Sequence, residues 1–133
     1  MTWMNVVAMF VWTGVGALLL FGLMFIDSLF TKYKDITEIK NGNVAVSLRF
    51  VMKLFAQGYI LSQAIVKSND LWLALLVSVV SFVILFVLEM IVELVMKKGF
   101  ALDLAQGTQE GKVAYAVLAG SLHVVGALIL GAL

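Results

Sequence analysis

The sequence has no cysteine and no proline, and charge is scarce: nine Lys and Arg, eight Asp and Glu, and a single histidine among 133 residues. Without cysteine there is no disulfide and no thiolate metal site, and the redox compartment stays open. No proline interrupts any of the apolar runs. A water-soluble domain of this size does not carry 63% apolar residues against 13% charged ones. The net charge of +1 offers no basic field strong enough to gather phosphates, which excludes nucleic acid as a partner. What is left is one membrane domain, 1–133, whose first partner is the lipid bilayer.

Four stretches are apolar enough to cross it. Residues 1–26 contain no charge, and a helix over 6–26, at about 1.5 Å per residue, spans a hydrocarbon layer of roughly 30 Å. The basic start and small-residue cleavage site of a signal peptide are missing, so this span is expected to be retained. The second stretch, 44–66, holds Arg49 and Lys53 and is the one that could re-enter instead of crossing. The third, 71–96, is uncharged until Glu89 and Glu93, and the fourth, 113–133, has no Asp, Glu, Lys or Arg and a single histidine, His123. Lysine and arginine stay on the cytoplasmic side of short loops. Eight of the nine (Lys32, Lys34, Lys40, Arg49, Lys53, Lys97, Lys98 and Lys112) surround the first and third connections, and only Lys67 the second. Both termini are therefore expected outside, on the periplasmic side of a bacterial inner membrane.

The connections carry their own signals. Ser68, Asn69 or Asp70 can cap the third span in a tight hairpin. Leu29, Tyr33 and Ile36 recur at helical spacing beside Lys32 and Lys34, as in a short interfacial helix with its apolar side inward. Asp35 followed by Glu38 fits a capping box. The openings "GNVAV" (42–46) and "GKVAY" (111–115) stand 69 residues apart. The chain thus reads as an all-α integral membrane protein of four transmembrane helices, arranged as two same-orientation helical hairpin repeats, 1–66 and 71–133, about an axis along the membrane normal.

An Asp closing the first span (Asp27), then Thr31, Tyr33 and Glu38, then "NGNVAV" (41–46) with Asn43 and Ala45, resembles the DUF350 family of small bacterial inner-membrane proteins, which includes the YjfL type. The likeness covers essentially the whole chain. It implies residence in the cytoplasmic membrane and an association with phage-shock-like and ATP-grasp, glutathionylspermidine-synthase-like proteins, hence envelope stress and not a particular reaction. The second half departs from the motif: Lys112 stands where the first has Asn43, and no carboxylate matches Glu38.

The polar residues inside the spans are the candidate site. Arg49 and Lys53 are four apart on one helix and Glu89 and Glu93 four apart on the next, so each pair shares a face. Helix rise puts Arg49 and Lys53 about 7.5 and 13.5 Å deep, interleaving with Glu93 at about 4.5 Å and Glu89 at about 10.5 Å. A ladder of alternating charge facing protein is the cheapest arrangement, since one charge in hydrocarbon costs from about 2.5 kcal/mol upward. The bland alternative lets Arg49, Lys53 and Glu93 snorkel to the headgroups, Glu93 facing Lys97. Gln57 prolongs the stripe. His123 is either a neutral imidazole bonded to Gln57 or Thr13, or a group that handles protons. Thr13, Gly14 and Gly16, Ser78 and Ser81, Ala116 and Gly120, and Ala127 and Gly131 mark close helix approach, within one chain or between copies. Trp3 and Trp72 fall at the outer interface and Trp12 in the core.

There is no phosphate-binding G-x-x-x-x-G-K-[ST], no H-E-x-x-H and no nucleophile with a base beside it, so neither enzyme activity nor a metal or other cofactor is expected. The leading expectation is a homo-oligomeric ion or proton pathway through Arg49, Lys53, Gln57, Glu89, Glu93 and His123. The alternative is a membrane scaffold or regulatory subunit that binds a peripheral cytoplasmic protein through its loops.

Overall fold

The computed structural model describes residues 2–30, 33–68 and 70–133. Thr31 of the motif, Lys32 of the basic cluster and Asn69 of the hairpin lie outside the described residues. The chain forms α1 (Trp3–Phe30), α2 (Asp35–Lys40), α3 (Val44–Ser68), α4 (Leu71–Gly99), α5 (Leu104–Gln109) and α6 (Val113–Ala132). Helices α1, α3, α4 and α6 are each long and apolar enough to cross a membrane, and this is a multi-pass membrane protein. Each starts or stops within a few residues of its expected limits. The short α5 carried no hydrophobic period by which it could be seen in the sequence.

Turn chemistry sets the ends. Asp70 caps α4, its carboxylate accepting from the N–H groups of Trp72 (3.0 Å) and Leu73 (3.4 Å). Asp103 caps α5 in the same way through Gln106 N–H at 3.1 Å. Helices α2 and α5 both close through a left-handed glycine, Gly42 at φ 80° and Gly111 at φ 86°. In each, the glycine N–H returns to the carbonyl three residues back (Ile39 or Thr108), and the next N–H to the carbonyl five back, Asn43 to Glu38 and Lys112 to Gly107. This paired closure is the Schellman motif, and a glycine meets its left-handed position without strain. After α4 the same conformation falls on an alanine, Ala101 at φ 56°.

Helix α3 is the hub: it is the least apolar of the four long helices and the most buried, and its most extensive contacts are with α6. The two run parallel. A Cβ on Gly120 would come within 2.4 Å of the Met52 sulfur, and one on Gly131 within 2.5 Å of the Tyr59 ring. Missing side chains at Gly120 and Gly131 let the backbones approach, the main source of association where lipid offers no hydrophobic drive. The expected small-residue stripe on α6 thus packs within the chain. Ala56, Ile60, Leu85 and Ala127 form the apolar core shared by α3, α4 and α6.

Helix α1 lies on the periphery, antiparallel to α3, with Gly16 against Leu61 and its other face of Phe10, Leu18, Phe21 and Phe25 exposed. Gly14 has open space around it and Thr13 is exposed, so neither marks a close approach. Trp12, expected in the core, is only half-buried because α1 touches the bundle along one narrow stripe; Trp3 and Trp72 are exposed.

Two readings of the first connection need correcting. Leu29, Tyr33 and Ile36 do not share one buried face: Leu29, in the last turn of α1, and Ile36, in α2, are exposed, while Tyr33 is buried. Nor is there a capping box. Lys34 occupies the cap position without a side-chain bond, and Asp35 is the first helical residue, its side chain buried.

Candidate functional site

The cations of α3 turn into the bundle. Arg49 and Lys53 are both buried, which removes the snorkelling alternative for them. One Arg49 terminal nitrogen donates to both Glu89 and Glu93 of α4, and the other donates to the Tyr33 hydroxyl at 3.1 Å. Lys53 reaches Glu89 at 2.8 Å and Asp27 of α1 at 2.9 Å. Glu93 therefore faces Arg49, and Lys97 approaches Asp103 instead, at 3.8 Å. The ladder exists with one rung the spacing argument missed. Asp27 stood at the end of the first span, and no periodicity within α3 or α4 could place it beside Lys53.

Two buried cations and three acids hold one another because each would be costly alone. Three carboxylates, Asp27, Glu89 and Glu93, face two cations, Arg49 and Lys53, leaving one formal negative charge over. Glu89 divides its oxygens: Oε1 is taken by Arg49 and Lys53, and Oε2 makes no hydrogen bond. The His123 ring stands against that second oxygen, with Nδ1 at 3.5 Å, and neither ring nitrogen is hydrogen-bonded. The polar group nearest to His123 by this contact is Glu89, and the expected hydrogen bond to Gln57 or Thr13 is not made. Gln57 is 1% exposed with both amide atoms unbonded, as is the hydroxyl of buried Ser78. Buried polar atoms normally find partners, so these are positions within the bundle where hydrogen-bonding capacity is unspent.

Two clefts flank α4 and meet at its acids. One, of about 340 Å³ between α1 and α4, is lined by Asp27, Arg49, Lys53, Glu89 and Glu93. The other, of about 200 Å³ between α4 and α6, is lined by Glu89, Glu93 and His123 among apolar side chains. Glu89 and Glu93 border both. Among the described residues no group of His, Asp and Glu is arranged to hold a metal ion.

A family model described as Domain of Unknown Function (DUF350) matches residues 1–133. The chain belongs to the DUF350 family. No curated protein and no solved structure matches it. Of the residues on which the resemblance rested, Asp27, Tyr33, Glu38, Asn43 and Ala45 are described, and they lie toward the basic end of the bundle. Asp27 and Tyr33 enter the charge network, and Ala45 is fully buried. Asn43 donates to Glu38 (3.2 Å) and across to the Gln109 carbonyl (2.9 Å), tying the α2 turn to the α5 turn, and accepts from Val46 N–H (3.2 Å) at the start of α3. Gly107 of α5 packs directly on α6, where an added Cβ would lie 2.1 Å from the Tyr115 ring.

Outside the spans, two groups are perturbed by burial: the Tyr33 phenol is pushed above its ordinary value, and the Asp35 carboxyl is pushed up to about 6, against the pull of Lys53.

Proposed function

We propose that this DUF350 protein is a homo-oligomeric proton pathway of the bacterial cytoplasmic membrane, with both termini outside and no enzymatic activity of its own. The observation that carries the reading is Glu89, one oxygen anchored to Arg49 and Lys53 and the other turned, unbonded, toward His123 at 3.5 Å, on the wall of two clefts. A proton arriving from the α4–α6 cleft resides on His123 and balances the leftover negative charge. It passes from Nδ1 to Glu89 Oε2 and leaves by the α1–α4 cleft, while Arg49 and Lys53 stay charged and hold the carboxylate in place.

The two halves are proposed as same-orientation copies. In support, α2 and α5 have equal length and the same glycine closure, α3 and α6 begin 69 residues apart, and these two helices pack parallel.

The test is proton flux into liposomes containing purified protein, with Glu89→Gln and His123→Ala beside wild type, and native mass in detergent for copy number. Flux is expected from wild type and lost in both variants. Wild-type flux no greater than that of empty liposomes refutes the pathway. A second reading, a scaffold for a peripheral protein, draws on Lys34, Lys40, Lys98 and Lys112, all exposed at the basic end. It is favoured if flux is absent and a soluble protein co-purifies only while Lys34 and Lys98 are intact.

A further inference from the structure

A further cavity lies apart from the two clefts that border Glu89. About 670 Å³ in volume, it lies between the second half of α1, α2 and Phe50 of α3, within the size range of small-molecule sites. Its apolar wall is Phe21, Met24 and Phe25, with Phe21 and Phe25 about two-thirds exposed on the outer face of α1, so the cavity opens sideways among apolar groups. Its polar end is Asp35, with exposed Lys34 beside it at the rim. Asp35 is 5% exposed, yet its carboxyl makes no hydrogen bond or ion pair with any described residue. A buried carboxylate that no cation pairs directly is costly, and this one faces a cavity lined also by Lys34.

We propose that the cavity is a site for one aminophospholipid, its primary ammonium seated on Asp35, its phosphate facing Lys34 and an acyl chain laid along Phe21, Met24 and Phe25. Phe21 to Leu29 covers about 12 Å of helix, long enough to seat most of the first half of such a chain. Only a headgroup bearing both charges satisfies both side chains: an anionic lipid without an amine leaves Asp35 uncompensated, and a quaternary ammonium brings charge but no N–H donor. The groups that face Asp35 from the packed elements are Lys53 and Arg49 of α3, Asp27 of α1 and Glu89 of α4. The two cations among them are already engaged by acids. With its carboxyl titrating at about 6, Asp35 is ionised at neutral pH and releases the amine when protonated. The site is independent of whether protons cross at Glu89.

The test uses the full chain, delipidated in detergent at pH 7.5, with binding of dioleoyl phosphatidylethanolamine, phosphatidylcholine and phosphatidylglycerol measured by native mass spectrometry. Phosphatidylethanolamine is expected to bind roughly tenfold or more tighter than either of the others, the worth of one charge-assisted hydrogen bond. Asp35→Asn removes that preference, and so does a pH of 5. Should Asp35→Asn fail to fold, Phe25→Ala serves instead and is expected to weaken all three lipids while keeping their order. Equal binding of the three lipids by wild type, an undiminished preference in Asp35→Asn, or unchanged affinity in Phe25→Ala overturns the proposal. Displacement of the lipid by equimolar soluble phosphoethanolamine overturns the acyl-chain part of it.

Discussion

Replacing Asp35 by Asn isolates the cost of one buried acid. Its carboxyl is held at about 6 by burial, against an ordinary value of 3.8. The native state therefore binds the proton more tightly than the unfolded chain does. The stability this contributes is complete below about pH 4 and is lost as pH rises through about 6. A shift of about two pKa units corresponds to roughly 3 kcal/mol, and partial solvent screening lowers this to about 2 kcal/mol. Asparagine has nearly the same shape and never ionises. In lipid-free detergent, Asp35→Asn is expected to match wild type in Tm at pH 4 and to exceed it by several degrees at pH 7.5. The assay is intrinsic tryptophan fluorescence on heating at half-unit pH steps. If the two proteins differ by the same amount at every pH, burial does not penalise this carboxylate and the reasoning fails. Adding phosphatidylethanolamine at pH 7.5 should narrow the gap by supplying the missing counter-charge.

Arg49→Met leaves Glu89 and Glu93 without their shared partner and is expected to cost roughly 3–5 kcal/mol, with much of that recovered in a triple variant that adds Glu89→Gln and Glu93→Gln; thermal unfolding in detergent reads both. Ala101→Gly relieves a left-handed alanine and should stabilise by about 1 kcal/mol, seen as a higher Tm. Gly107→Ala drives a methyl into the Tyr115 ring and should destabilise by about 1–3 kcal/mol, with Tyr115→Ala in the same chain removing the clash.

Hydropathy and helical spacing found the four long helices, and the i, i+4 pairs Arg49 with Lys53 and Glu89 with Glu93 foretold which faces meet across the α3–α4 hairpin. Asp70 as a cap was legible because its chemistry is local. What escaped was set by tertiary packing. Asp27 joins Lys53 only because α1 lies beside α3, and Tyr33 reaches Arg49 only because the chain turns inward after α1. Asp35 followed by Glu38 looked like a cap and its partner because the pattern records spacing and not the point where helix begins. His123 stood out as the one histidine, in a span without Asp, Glu, Lys or Arg, but its neighbour Glu89 sits on another helix, beyond the reach of any motif.

The Asp27–Lys53 pair bears on how the chain enters the membrane as it is synthesised. Helix α3 emerges before α4, so its two cations meet lipid before Glu89 and Glu93 exist as partners. Asp27 is already in place on α1, and Lys53 gains a counter-ion as soon as the first hairpin closes. Tyr33 offers Arg49 a provisional acceptor from the same half. The earliest-made acid thus acts as an internal escort for the helix least able to insert alone, and its loss is expected to lower the yield of inserted protein before any effect on the finished fold is felt.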